Sequence, residues 1–143
     1  MSVKNVKVDD FEKSTVTYFN EIKNTSPLSK KEEKIGKYLV EFAEKHNLEY
    51  QCDAIGNVVI RKAATEGYEN RPTVVLQAHT DMVCEKNSDV EHDFLNEGIK
   101  LVEKDGWLRA DGTTLGADNG VAVAAMLYIL DGAEGNLPSH PPI

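Results

Sequence analysis

The sequence has little of several things. It carries two cysteines, one tryptophan and five prolines in 143 residues. Two cysteines, Cys52 and Cys84, do not make a disulfide scaffold in a chain of this size, and predict reduced thiols in a cytosolic protein. No apolar run approaches the roughly 20 residues of a membrane span. The stretch 1–10 alternates Val with Lys, Asn and Asp and has no apolar signal-peptide core. Positive charge is also scarce: 16 Lys and Arg stand against 24 Asp and Glu, a net charge of -8. That balance argues against nucleic acid as a partner, because phosphate-backbone binding needs clustered Lys and Arg. The basic residues mostly sit beside acids, as in Lys30-Lys31-Glu32-Glu33, the pattern of a solvated helix face.

What remains is 41% hydrophobic and 28% charged, the balance of a globular domain. The length suits one domain with a real core. Phe11, Thr15, Tyr18, Phe19 and Ile22 recur at helical spacing, so Asp9 or Asp10 is expected to open a first helix. Ser-Pro at Ser26-Pro27 ends it. Ser29 and Glu32 form a capping box for a second helix, whose buried face is Ile35, Leu39, Phe42 and Ala43. Leu48, Tyr50 and Cys52 alternate with polar residues as a half-buried strand. Ile55-Gly56-Asn57 then turns the chain into a second strand, Val58 to Arg61. Thr73 to His79 is a continuous apolar run, the pattern of a central strand buried on both faces. Leu101 to Lys104 and Trp107 to Ala110 flank Asp105-Gly106, a tight hairpin turn with positive φ. Trp107 is expected to pack in the core. Val121 to Leu130 is apolar all round, a buried helix. The closing His140-Pro141-Pro142-Ile143 reads as the entry to a further strand. The β-α alternation predicts an α/β domain.

Two stretches carry candidate chemistry. In extended chain, residues i and i+2 share a face about 7 Å apart at Cα. His79-Thr80-Asp81, at the end of the apolar run, therefore suits a metal ligand with a carboxylate orienter, where α/β sheets place their sites. A buried histidine hydrogen-bonded to a nearby aspartate fits the same tripeptide. Asp118, in "GTTLGADNG", suits an N-cap or a metal carboxylate. Gly112, Gly116 and Gly120 would let backbone approach an ion closely. A phosphate loop fails, because Gly-Lys-Ser/Thr is missing and the acid would repel phosphate. Glu32-Glu33, Cys84, His46 and His92 default to surface or structural roles.

Together, "LQAHTDMVCEKN", "HDF" at His92 to Phe94, "DGWLRADGTTLGADNG" and "SHPPI" resemble bacterial Xaa-His (aminoacyl-histidine) dipeptidases, carnosinase-like members of the co-catalytic zinc peptidases. The resemblance covers most of the chain. It implies a three-layer α/β sandwich with a mixed central sheet. Residues 1–143 would be the N-terminal part of its catalytic domain, without the inserted lid and dimerisation domain or the C-terminal half. It further implies that His79 ligates one zinc, that Asp81 orients the imidazole as a catalytic residue, and that Asp118 bridges two zincs. The Asp118-Asn119 peptide is often cis in such enzymes. The implied reaction is metal-assisted hydrolysis of short peptides with C-terminal histidine. Manganese or cobalt also suits such donors.

The chain departs from the pattern too. The family's Glu-Glu pair, which supplies the general base and a zinc ligand, follows a strand after the His-Pro-Pro stretch. Ile143 precedes it. The chain alone is thus expected to be inactive, and to self-associate through an exposed sheet edge. An aminoacylase or another dipeptidase of the superfamily is the alternative within the class. A non-catalytic fragment that folds without metal is the alternative outside it.

Overall fold

The structure is a computed structural model that describes residues 8–25, 33–132 and 137–143. The chain runs through helix α1 (Val8–Lys23), helix α2 (Glu33–Lys45), strands β1 (Glu49–Cys52), β2 (Val58–Arg61), β3 (Leu101–Lys104) and β4 (Trp107–Ala110), and helix α3 (Ala117–Asp131). The first helix thus begins one residue before Asp9. The expected capping box at Ser29 and Glu32 lies outside the described residues.

The three helices make the core. The first stripe, Thr15, Phe19 and Ile22, is buried, as are Ile35, Leu39, Phe42 and Ala43 of α2. They meet Val123, Ala124, Leu127 and Leu130 of α3 in one cluster. Phe11 meets the Tyr128 ring edge-on with centroids 5.2 Å apart, and Tyr18 meets Phe42 in the same way at 5.8 Å. The apolar Val121 to Leu130 run is buried at Val123, Ala124, Leu127, Tyr128 and Leu130, but Val121 is exposed, so α3 is not covered on every side as expected. Its C-terminus is closed by Gly132 at φ 61. The Lys62 ammonium donates to the carbonyls of Ile129 and Leu130 at 3.0 and 2.7 Å. A cation there complements the negative end of the helix dipole.

Both expected hairpins form. β1 pairs antiparallel with β2, from Glu49 opposite Arg61 to Cys52 opposite Val58. Asp53 closes the turn, its Oδ1 accepting from the N–H groups of Ile55 and Asn57. β3 pairs with β4. Asp105 and Gly106 between them sit at φ 55 and 76, as a two-residue turn of matching twist demands. The chain is α/β, with helices packed against antiparallel hairpins.

The central strand departs from expectation. Thr73 to His79 is neither strand nor core: Val75 is 82% exposed, and Val74 and Leu76 are exposed too. The reason is pairing. Among the described residues, the C-terminal segment stands beside this run and only at its start, where the Val74 N–H donates to the Pro142 carbonyl at 2.9 Å. The same segment pairs on its other side with Lys62, through reciprocal bonds to Ile143 of 2.8 and 3.0 Å, and with Thr65, whose N–H donates to the His140 carbonyl. A strand buried on both faces needs ladders on both edges and layers above and below; among the described residues Leu76 to His79 has no ladder, and Ala78 alone of its apolar residues packs against the core. Trp107 is likewise outside the core, 67% exposed, because no layer among the described residues covers the outer face of the β3–β4 hairpin.

Candidate metal centre

The two motif stretches run side by side. The segment after Asp81 lies antiparallel to the Gly-rich loop. The Asn87 N–H donates to the Gly112 carbonyl at 2.8 Å, and the Thr114 N–H to the Glu85 carbonyl at 2.9 Å. The Thr114 hydroxyl donates to the Val83 carbonyl at 2.7 Å. Beneath them Met82 is buried. This short zipper brings His79 opposite Asp118, 39 residues on.

His79 Nδ1 lies 3.1 Å from the Asp81 carbonyl oxygen and 3.2 Å from Asp81 Oδ1. Nε2 lies 3.1 Å from Asp118 Oδ1. Both ring nitrogens thus face oxygen acceptors, which only the doubly protonated ring can satisfy. The bond to Asp118, then that to the Asp81 carbonyl, accordingly raises the His79 pKa above its ordinary value. The site is open: the His79 side chain is 51% exposed and that of Asp118 94%.

This geometry separates the readings of each residue. His79 is not a buried core histidine. Asp118 is not an N-cap: Gly116 holds that position at φ 66, and Asp118 sits inside the first turn of α3 with non-helical φ -89 and ψ 106. The Asp118-Asn119 peptide is cis. Its carboxylate turns to the imidazole rather than to the helix N–H groups. Among the described residues no three His, Cys, Asp or Glu side chains converge as metal ligands. His79 and Asp118 therefore fit a zinc centre in kind and placement, but fall short of the three protein ligands such centres use.

The chain is 47% identical over 110 residues to the cytosol non-specific dipeptidase of Escherichia coli (strain K12), an overlap of 77% of this chain and 22% of that one. Its fold superposes on the crystal structure of the aminoacylhistidine dipeptidase from Vibrio alginolyticus with a TM-score of 0.84 and 42% identity, over 91% of this chain and 26% of that one. The chain is similar to dipeptidases in both sequence and fold. A tripeptidase from Staphylococcus aureus matches at a TM-score of 0.71 and 25% identity, over 92% of this chain and 35% of that one. No protein-family model matches. The chain spans 22% of the length of its curated relative and 26% and 35% of the two solved structures.

The remaining candidates are structural. His46 stacks on Phe42 and places Nδ1 3.1 Å from Asp131 Oδ1. His92 places Nδ1 3.2 Å from Glu97 Oε2 and meets the Phe94 ring edge-on. Cys84 is half-buried and outside any disulfide, its thiol donating to the Met82 carbonyl at 3.7 Å. Glu33 is exposed, and Glu32 lies outside the described residues.

The glycines do different work from that expected. A Cβ on Gly112 would lie 2.5 Å from Val90, and one on Gly120 would lie 2.9 Å from the Lys23 ammonium and 3.0 Å from Phe19. Their bareness admits neighbouring side chains. Lys23 is the residue that sequence reasoning missed. It follows Phe19 by four positions and so falls on the buried stripe of α1, where it is 2% exposed. Burial lowers its pKa to about 8.

That depression has a sign. The unfolded chain holds the Lys23 proton up to about pH 10.4. Between about pH 8 and that value the unfolded state binds more protons, so stability rises with pH through this window and is lost as pH falls through 8. The slope from one such group is at most about 1.4 kcal/mol per pH unit. Urea midpoints at pH 7.5 and 9.5 should therefore rise for the wild type more than for Lys23→Met. Equal changes in both would contradict the assignment.

Proposed function

We propose that the chain contributes half of the metal centre of a zinc-dependent dipeptidase acting on short peptides with C-terminal histidine. The observation that carries this reading is the His79–Asp118 contact, with Asp81 behind the imidazole. His79 Nε2 and the Asp118 carboxylate would hold zinc, two ions in the complete centre with Asp118 between them. Bound zinc would polarise the scissile carbonyl and acidify a water. Asp81 keeps the Nδ1 proton in place, which leaves Nε2 to act as the donor and raises its basicity. Manganese or cobalt would suit the same donors.

By itself the chain is proposed to be inactive, because two converging donors hold zinc weakly and position no hydroxide. Xaa-His peptides are favoured as substrates by the long "DMVCEKN" and "GTTLGADNG" motifs and by the likeness to an aminoacylhistidine dipeptidase. The likeness to a non-specific dipeptidase makes a broader dipeptide range the second reading. The name of that relative also supports a cytoplasmic location. No helix among the described residues is long and apolar enough to cross a membrane.

Calorimetric titration with zinc tests the centre. Weak binding, with a Kd well above the micromolar range, is expected for the wild type, and none for His79→Ala or Asp118→Asn. Equal heats in all three proteins would refute it.

The proposed partner, besides substrate, is a second copy of the chain. Among the described residues Leu76 to His79 has no main-chain pairing, beside exposed Val75 and Leu76, the properties of an aggregating edge. Val75→Lys should turn a self-associated species into a monomer in light scattering. A wild type that is already monomeric would rule this contact out.

A further inference from the structure

Lys23 touches both halves of the candidate centre. Its ammonium donates to the Gly116 carbonyl at 2.7 Å, two residues before Asp118. It also lies 3.9 Å from the sulfur of Met82, the residue after Asp81. It stands over the Phe19 ring, 4.9 Å from the centroid. A Cβ at Gly116 would overlap the Met82 sulfur and lie 2.6 Å from the ammonium, so this glycine is part of the seat. The Lys23 backbone is fixed as well, its carbonyl accepting from the Ile99 N–H at 3.1 Å.

We infer that Lys23 is a positioning residue for the His79–Asp118 pair, its buried ammonium clamping the Met82 segment to the Gly116 turn that presents Asp118. At 2% exposure it cannot touch a substrate, so its effect passes through the loop. Space filling does not explain it. A methionine would fill the same volume without the desolvation that depresses the Lys23 pKa. Helix stability does not explain it either, since a cation at the N-terminal end of α3 opposes the helix dipole. A carbonyl that needs an anchor does. Gly116 is left-handed, has no side-chain cap, and marks the point where the loop leaves its zipper with Val83 to Asn87 and enters α3. Its carbonyl already accepts from Gly120 at 3.2 Å, and the ammonium takes the second lone pair. The clamp matters to function only if His79 and Asp118 are metal donors, but it can be read without metal.

The test is NMR of the metal-free, isotope-labelled chain at one pH, with Lys23→Met and Lys23→Gln. Lys23→Met keeps the volume and loses the donor. It should shift the His79 ring nitrogens and the Asn119 and Gly120 amides, leaving those of the Glu49–Arg61 hairpin in place. Lys23→Gln keeps an N–H donor and should stay nearer the wild type. Unmoved signals in Lys23→Met would overturn the clamp. So would equal shifts in both variants, which assign the effect to packing. If the variants fail to fold, the wild type decides. A Lys23 ammonium signal protected from exchange, with contacts to Gly116 and Met82, supports the clamp; exchange as fast as that of surface lysines overturns it. Zinc titration of the same samples reads the metal proposal separately, since a clamp that holds in a chain that binds no zinc refutes only the latter.

Discussion

Gly116→Ala should lower the urea midpoint severely, by the equivalent of about 2–5 kcal/mol. Two costs add. A side chain at φ 66 is in the left-handed region, which costs roughly 1–2 kcal/mol for a residue with a Cβ. The new methyl also meets the Met82 sulfur and the Lys23 ammonium, and forced overpacking costs roughly 1–3 kcal/mol. Domains of this kind have only about 5–15 kcal/mol of stability, so the loss is a large part of the whole. Gly106→Ala is the control. Gly106 has φ 76 and nothing within 4 Å of the added Cβ, so it bears the conformational cost alone. Equal losses at the two glycines would mean that the seat around Lys23 is loose.

The helices and hairpins were legible because their signals are local. The Ile35, Leu39, Phe42 and Ala43 stripe and the Asp105-Gly106 turn each state a period or a backbone angle that short-range sterics enforce. Thr73 to His79 was misread because a run of Val and Leu specifies a buried strand only when neighbours pair with it on both edges. No sequence window holds that information. Trp107 was misread for the same reason, since its size predicts burial but the burying layer belongs to other elements.

At the site, His79, Asp81 and Asp118 were legible as residue types in a specific motif order, and the structure brings them together. Motif order carried that reading, because each of the three has an ordinary structural use when seen alone. The glycines were half legible: their need for space was plain, but not what fills it. Lys23 was missed although the signal was present. A lysine four residues after Phe19, on a stripe of buried residues, has to find a partner inside the fold. Which carbonyl it would reach depends on a loop more than ninety residues further along the chain.

The second large effect concerns turnover. Catalytic zinc centres use three protein ligands and a fourth position for water. Among the described residues the two proposed metal donors meet, with Asp81 behind one of them, and no third converges. The contacts of His79 with Asp118 and Asp81 also raise its pKa, which favours the proton over a metal at the ring. Both factors weaken binding, and neither supplies a base for the attacking water. A dipeptidase accelerates its reaction by many orders of magnitude, and nothing short of a complete centre does so.

The most direct measurement is incubation of the purified 143-residue chain with zinc and a Xaa-His dipeptide, with release of free histidine followed over time. The predicted result is weak zinc binding that disappears in His79→Ala, with no histidine released above the rate without protein. Release that survives purification, depends on zinc and is lost in His79→Ala would contradict the account.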